Sequence, residues 1–318
     1  MRILLLATGD TIAQSAGHVA AGAELVPDTV HEVVVEDVMS EPSWDITPST
    51  MLALARRVRT ALVADGFDGV VVSHGFDTVE HTPFLTELMV GGAGAMGGIV
   101  FTGAVRRRDE ESGDGARNLA SSVAAAADPA LRGAGVVVCA GDSLHAARWV
   151  RQVDATSPSG LSSGVNPLVG KVIDGRVVLM GAAPGKVPEP VGEPETDVAV
   201  IATYPGVGAA QFSAVVDAGA RGVVLDGTGL GNVPVELFAA VGEAVEWDIP
   251  VVVASRAQPY AVGLEEMPLG SGLAGKLGAI GARGLGVGQA RSALMVALGG
   301  GGVAEVRSYF AALRPASR

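Results

Sequence analysis

The sequence predicts an α/β protein of two domains, each with a mostly parallel sheet flanked by helices. Three observations predict it. Short β-branched runs alternate with helical patterns, several runs are apolar at every position, and one Pro- and Gly-rich segment divides the chain. A strand that is apolar throughout suits a parallel sheet covered on both faces, whereas a half-exposed strand alternates. The strand–helix rhythm itself is that of a doubly wound architecture.

Taken in order, strands are predicted over residues 3–6, 33–35, 69–73, 98–102, 135–140, 198–203, 222–225 and 250–254. Helices are predicted over 47–64, 78–89, 116–126, 234–246 and 288–298. The first helix is the best defined. Thr47 is a hydroxyl N-cap, and Pro48 takes the first helical position, where its missing N–H has no partner to lose. In "KVIDGRVVLM", Asp174-Gly175 between two apolar runs signals a hairpin. The run "GAAPGKVPEPVGEPETD" that follows is linker chemistry. The expected division is an N-terminal domain over 1–185, a linker over 186–195 and a C-terminal domain over 196–318.

Composition narrows the function. At 48% hydrophobic and 18% charged, 318 residues can bury a large core. The net charge of −12, with lysine only at Lys171, Lys186 and Lys276, argues against nucleic acid or anionic membrane as a partner. The single cysteine, Cys139, lies in "GVVVCA", which reads as buried and apolar, and one cysteine forms no intramolecular disulfide. Residues 3–6 are too short for a signal core, and no apolar stretch of about 20 residues could span a bilayer. A cytoplasmic protein is therefore expected.

Several motifs carry little. "GSGLAGKL" imitates a phosphate loop, but Leu277 stands where the metal-binding hydroxyl belongs and no apolar strand precedes it. "GTGLGN" lacks the dinucleotide spacing and reads as a tight strand–helix turn or a loop against a small substrate. The five histidines show no zinc spacing, and no GxSxG elbow exists. Two loops at strand ends remain: Thr8-Gly9-Asp10-Thr11, and "SHGFDT" from Ser73 to Thr78. In open α/β sheets ligands sit beyond the carboxyl ends of strands, so both loops could face one crevice. A threonine there is either a nucleophile with nearby backbone N–H groups as oxyanion donors, or ordinary turn and cap chemistry.

"LLLATGDTIA", "GVVVSHGFDTVEHTPFLTEL" and "FTGAVR…GDGARNL", with "VVLDGTGLGNVP" and "PVVVASR" later, resemble the bacterial L-asparaginase/glutaminase family of threonine amidohydrolases. The similarity runs through nearly the whole chain in matching order and separation. It implies a homotetramer of close dimers and hydrolysis of a small-molecule amide through an acyl-threonine, without metal or cofactor. By motif position Thr11 matches the nucleophile, and Asp77 the carboxylate that holds the substrate's α-ammonium. Ser43 matches a serine at the substrate carboxylate, and Asn232 a substrate-side asparagine. Asp114, Gly115 and Asn118 match a segment read as structural.

The departures cluster at that site. Asp10 replaces the second glycine of Thr-Gly-Gly-Thr, and Phe76 replaces the family's second catalytic threonine. Gln152, beside Arg151, stands at the position of its lysine partner, Trp44 replaces a substrate-binding glutamine, and the lid "QSAGHVAAGAELV" has no tyrosine. A threonine hydroxyl needs a proton acceptor. Asp10 is a candidate, although adjacent side chains in extended chain point apart. His18, Glu24, Glu265 and Glu266 are the others. The expectation is an amidohydrolase of altered specificity with weak or absent L-asparaginase activity. The alternative is a catalytically silent relative that binds a ligand or partner.

Overall fold

β1 (Arg2–Ala7) is buried from Ile3 to Ala7 and forms the middle of the N-terminal sheet. The chain continues through a hairpin, β2 (Gln14–Ser15) and β3 (His18–Val19), to β4 (Glu32–Asp37). There follow α1 (Pro48–Val63), β5 (Gly69–Ser73), α2 (Thr82–Val90), β6 (Gly98–Thr102), α3 (Gly115–Ala127) and β7 (Val136–Ala140). After these come β8 (Ser143–Ala146), the hairpin β9 (Arg151–Gln152) and β10 (Leu161–Ser162), then β11 (Gly170–Ile173) and β12 (Arg176–Leu179). The sheet order is β12-β11-β8-β7-β6-β5-β1-β4. The pairs from β4 to β7 are parallel, and those from β7 to β12 antiparallel.

The all-apolar strands are explained by cover on both faces. Ile3, Leu5, Val71, Val100 and Val137 pack with Leu119, Val123 and Ala126 of α3. The alternate residues face α1 and α2, and α2 is buried at all nine positions because α1 lies over it. Burying each such Val or Leu contributes about 1.5–3 kcal/mol relative to exposure. The Thr47 cap forms as expected, its hydroxyl accepting the Thr50 N–H at 3.1 Å. The Asp174-Gly175 hairpin also forms, with φ of 49° and 71°.

The structure, a computed structural model, describes residues 1–181, 185–257, 263–268 and 270–313, in two compact units, Met1–Pro184 and Gly185–Arg318. Residues 182–184 of the Pro- and Gly-rich run lie outside the described residues. The C-terminal unit contains β13 (Val198–Ala202), α4 (Ala210–Asp217), β14 (Gly222–Gly227), α5 (Phe238–Glu246), β15 (Val251–Ser255), β16 (Ile280–Gly281), α6 (Val287–Leu298) and α7 (Val303–Ala312). Its sheet is parallel in the order β13-β14-β15-β16. Phe212, Leu237 and Val241 pack against Val223, Leu225 and Val253 in its core. The fold class is therefore the predicted one.

Two predicted helices are broken. The one over 78–89 divides into a 3-10 turn, Phe76–Thr78, and α2. Pro83 in the middle of a continuous helix would remove a hydrogen bond and strike the preceding turn, so α2 restarts with Pro83 in its first turn. The one over 234–246 begins as a 3-10 turn, Val235–Leu237. No helical pattern announced α4 or α7, and β8 follows an unforeseen turn in which Gly141 and Asp142 both have positive φ.

The order of strands places a crevice. From β1 the chain passes to β4 on one side, then returns by α1 to β5 on the other. Strand order thus reverses at β1, the position where open α/β sheets hold ligands beyond the strands' carboxyl ends.

Candidate active site

Three segments leave the carboxyl ends of the neighbouring strands β4, β1 and β5 and meet at this reversal. β1 delivers Thr8 to Thr11, β5 delivers His74 to Asp77, and β4 leads to Ser43. The loops after β1 and β5 are clamped together at their base: Thr8 N donates to Ser73 Oγ at 3.1 Å, and Thr8 Oγ1 to Ser73 O at 2.5 Å. Thr78 Oγ1 donates to Ser43 O at 2.9 Å, which ties in the third segment.

Asp10 is the centre of the cluster. Its backbone has φ 66° and ψ −172°, a region that belongs almost wholly to glycine and costs other residues on the order of 1–3 kcal/mol. Its carboxylate holds it there. Oδ1 accepts the Thr11 N–H at 2.6 Å and lies 3.2 Å from Thr11 Oγ1, while Oδ2 accepts the Ser43 N–H at 2.6 Å. The expectation of diverging side chains at 10 and 11 fails because that expectation assumes an extended chain. With positive φ, the Asp10 side chain turns onto the 3-10 turn that Thr11 opens.

Gly75 makes this possible. A Cβ at position 75 would collide with Asp10 Oδ2 and with Ser43 Oγ, so only a bare Cα admits both oxygens. Ser43 is 2% exposed, and its Oγ has no hydrogen-bond partner among the described residues. Asp77 lies in the 3-10 turn after Gly75, exposed and without an ion pair or hydrogen bond among the described residues. Partial burial of its carboxyl pushes its pKa up, and the negative charge of Asp10 adds to that shift.

His74 is no base for this site. Its ring is buried, with Nδ1 2.7 Å from Gly75 O and Nε2 2.9 Å from Thr82 Oγ1. A carbonyl only accepts, so Nδ1 carries the proton and Nε2 accepts from the Thr82 hydroxyl. Burial pushes the His74 pKa down, opposed by the Gly75 bond and by Asp10. The neutral ring supports the loop.

Phe76 and Trp44 point in different directions. Phe76 is 5% exposed and turns inward over Gly103, where a Cβ would lie 3.0 Å from its ring carbon Cε1. Trp44 is 67% exposed, so it borders the crevice without filling it. Gln152, on β9, reaches the same neighbourhood through its backbone, whose N–H binds the Glu80 carboxylate. Burial raises Glu80, and the Arg151 charge and the Gln152 bond oppose this. Sequence reasoning passed over Glu80 and Gly75. The only signal for either was its place within the "SHGFDTVE" loop, where a glycine and a glutamate also serve as ordinary turn residues.

The remaining candidates are tied elsewhere. His18 Nε2 is 3.4 Å from Glu24 Oε1, and Glu24 also accepts the Ala21 N–H at 3.0 Å, the contact that lowers its pKa most. Asp114 accepts the N–H groups of Val105 and Arg106, and Asn118 spans Gly103 O and Gly141 N, so this segment braces the loop after β6. In the C-terminal unit Asn232 closes the turn after β14 through paired bonds with Thr228 and accepts the Gly272 N–H on its side chain. Glu265 and Glu266 each lie 3.2 Å from a guanidinium nitrogen of Arg283. Among the described residues no group of three or more His, Cys, Asp or Glu could hold a metal ion, and no helix is long and apolar enough to cross a membrane.

Comparison with known proteins places these features. Residues 2–184 match the family profile described as "Asparaginase, N-terminal", and residues 197–310 the "Glutaminase/Asparaginase C-terminal domain". The chain is 27% identical over 268 residues to an L-asparaginase of Bacillus licheniformis, covering 81% of this chain and 82% of that protein. It is 31% identical over 268 residues to a probable L-asparaginase of Deinococcus radiodurans, covering 80% and 79%. A crystal structure of a probable cytoplasmic L-asparaginase from Campylobacter jejuni superposes with a TM-score of 0.85 at 27% identity, over 98% of this chain and 99% of that one.

Proposed function

The chain belongs to the asparaginase/glutaminase family, and from that premise we propose an amidohydrolase that cleaves a small-molecule amide through an acyl-enzyme on Thr11. Its specificity is altered and its L-asparaginase activity weak or absent. The observation that carries the reading is the Thr11 hydroxyl lying 3.2 Å from Asp10 Oδ1 at the carboxyl end of β1. A weak oxygen nucleophile beside a carboxylate is a nucleophile–base pair.

In this mechanism Thr11 Oγ adds to the amide carbonyl carbon as its proton passes to Asp10. Phe76 and Asp77 open a 3-10 turn, so their N–H groups have no partner within it, and we assign them to the developing oxyanion. Collapse breaks the C–N bond, and the leaving nitrogen takes the proton from Asp10. Water then attacks the ester as Asp10 takes its proton, the acyl C–Oγ bond breaks to release the acid, and Asp10 returns that proton to Thr11 Oγ. Position 76 contributes no hydroxyl and position 152 no ammonium, so the usual acceptor is replaced rather than supplemented. A positioned base is worth about 10²–10⁴-fold. Asp10 already accepts two short N–H bonds, which occupy part of its acceptor capacity and hold its carboxylate in one orientation.

That same observation favours a second reading, a silent relative that binds without cleaving. One experiment separates them. Wild type and Thr11→Ala are incubated with a panel of amides and followed by intact-mass spectrometry and product release. An acyl adduct and turnover that vanish in Thr11→Ala support the hydrolase. Unchanged turnover in Thr11→Ala excludes Thr11 as nucleophile, and thermal stabilisation by an amide that is never consumed supports the silent protein. The proposal includes the homotetramer, which light scattering on the same samples checks.

A further inference from the structure

We propose that this crevice selects an amide that bears a protonated amine and no neighbouring carboxylate, because Asp10 itself occupies the donors that a substrate carboxylate would need. The inference rests on the amidohydrolase reading for the word amide alone. Its charge argument stands on the binding site.

The donors and acceptors around Gly75 are unevenly matched. Two backbone N–H groups, of Thr11 and Ser43, converge at 2.6 Å on the two oxygens of Asp10. Both are thereby spent on a carboxylate already within the chain. The N–H groups of Phe76 and Asp77 are needed for the amide oxygen. Arg151, on β9, lies close enough to Glu80 for its charge to lower that carboxyl. Neither Asp10 nor Asp77 has an ion pair among the described residues. A second carboxylate, on a substrate, would meet like charge and filled donors.

Acceptors, by contrast, are in surplus. Asp77 presents a carboxylate without a partner among the described residues, and an ionised carboxylate accepts at about four lone-pair sites, of which those of Asp10 are only partly used. Ser43 Oγ, on a residue 2% exposed, has no hydrogen-bond partner among the described residues and lies beside Asp10 Oδ2 over the bare Cα of Gly75. Asp10 and Asp77 leave neighbouring strand ends, and the charge of Asp10 acts on the Asp77 carboxyl, so two carboxylates share this end of the sheet. An alkylammonium has three donors and no acceptor, which is the complement.

The probes are 3-aminopropanamide, which has the amide and the ammonium, L-asparagine, which adds a carboxylate, and propanamide, which has neither charge. Titration calorimetry on the full chain carrying Thr11→Ala measures binding without turnover. The expected result is 3-aminopropanamide binding at least about tenfold tighter than either of the others, the weight of one charge-assisted hydrogen bond. Asp77→Asn should remove about tenfold of that preference and leave propanamide unaffected. Asp10→Gly frees the two N–H groups and should raise the affinity for L-asparagine relative to 3-aminopropanamide. The proposal is overturned if L-asparagine or propanamide binds as tightly as 3-aminopropanamide, or if Asp10→Gly leaves the ratio of the L-asparagine and 3-aminopropanamide affinities unchanged. Should the ranking hold while no amide is ever cleaved by the wild type, the hydrolase reading fails and this one stands.

Discussion

Replacing Asp10 by glycine and, separately, by alanine isolates the backbone strain in the loop after β1. Both variants delete the same carboxylate and the same bonds to Thr11 and Ser43. They differ only in a Cβ held at φ 66°, ψ −172°. That conformation costs a non-glycine residue on the order of 1–3 kcal/mol. Glycine is penalised by the greater freedom of its unfolded chain, by about 0.4–1 kcal/mol. Asp10→Gly should therefore be more stable than Asp10→Ala by about 1–2 kcal/mol, the reverse of the usual order for these residues. Urea unfolding at equal protein concentration measures it, with tryptophan emission as the probe. Trp44 and Trp149 report on the N-terminal unit, and equal m-values license the comparison of midpoints. If Asp10→Ala proves as stable as Asp10→Gly at unchanged m, the loop is not strained, and the claim that the carboxylate holds its own backbone in place is refuted.

Two further predictions concern other groups of the N-terminal unit. Burial depresses the His145 imidazole to a pKa of about 4, with Nδ1 bonded to Ser163 Oγ at 2.9 Å. Between pH 6.5 and 4 the unfolded chain binds a proton that the folded one refuses, so stability is full above pH 6.5 and falls as the pH drops. The loss reaches about 3 kcal/mol near pH 4, and His145→Gln should flatten that part of the pH–stability curve measured by urea unfolding. Phe76→Thr removes a buried ring, costs about 3 kcal/mol by thermal or urea unfolding, and gains no asparagine turnover while position 152 lacks an amine. Asparagine hydrolysis restored by that single change would contradict the roles assigned to Gln152 and Asp10.

Much of the fold was legible because it is encoded locally. Runs such as "GVVVS" and "GIVFT" contain no polar face, and only cover on both sides explains that. Thr47-Pro48 announced α1 with its cap. Where the reading stopped short, the signal was weak or nonlocal. The break before α2 follows from Pro83, which was on the page, but β8 depends on a Gly141-Asp142 turn that its sequence does not distinguish from a loop. The loop after β1 was visible too, as Thr11 and the apolar run that leads to it.

By itself, then, the sequence determined the α/β class, the family and the residues gathered at one strand-end crevice, since periodicity and motif order survive without coordinates. Tertiary structure decided what those residues do to one another. Asp10 turns onto Thr11 because a backbone N–H from Ser43, 33 residues away, holds its other oxygen and Gly75 leaves the room. Phe76 turns inward because Gly103 offers a bare Cα, while Trp44 faces outward. Glu265 and Glu266 are engaged by Arg283, a partner that neither adjacency nor spacing in the chain identifies. Hydrogen bonds and steric room between distant segments choose among rotamers that the local chain leaves equally open, and at this site that choice sets which groups meet the Thr11 hydroxyl.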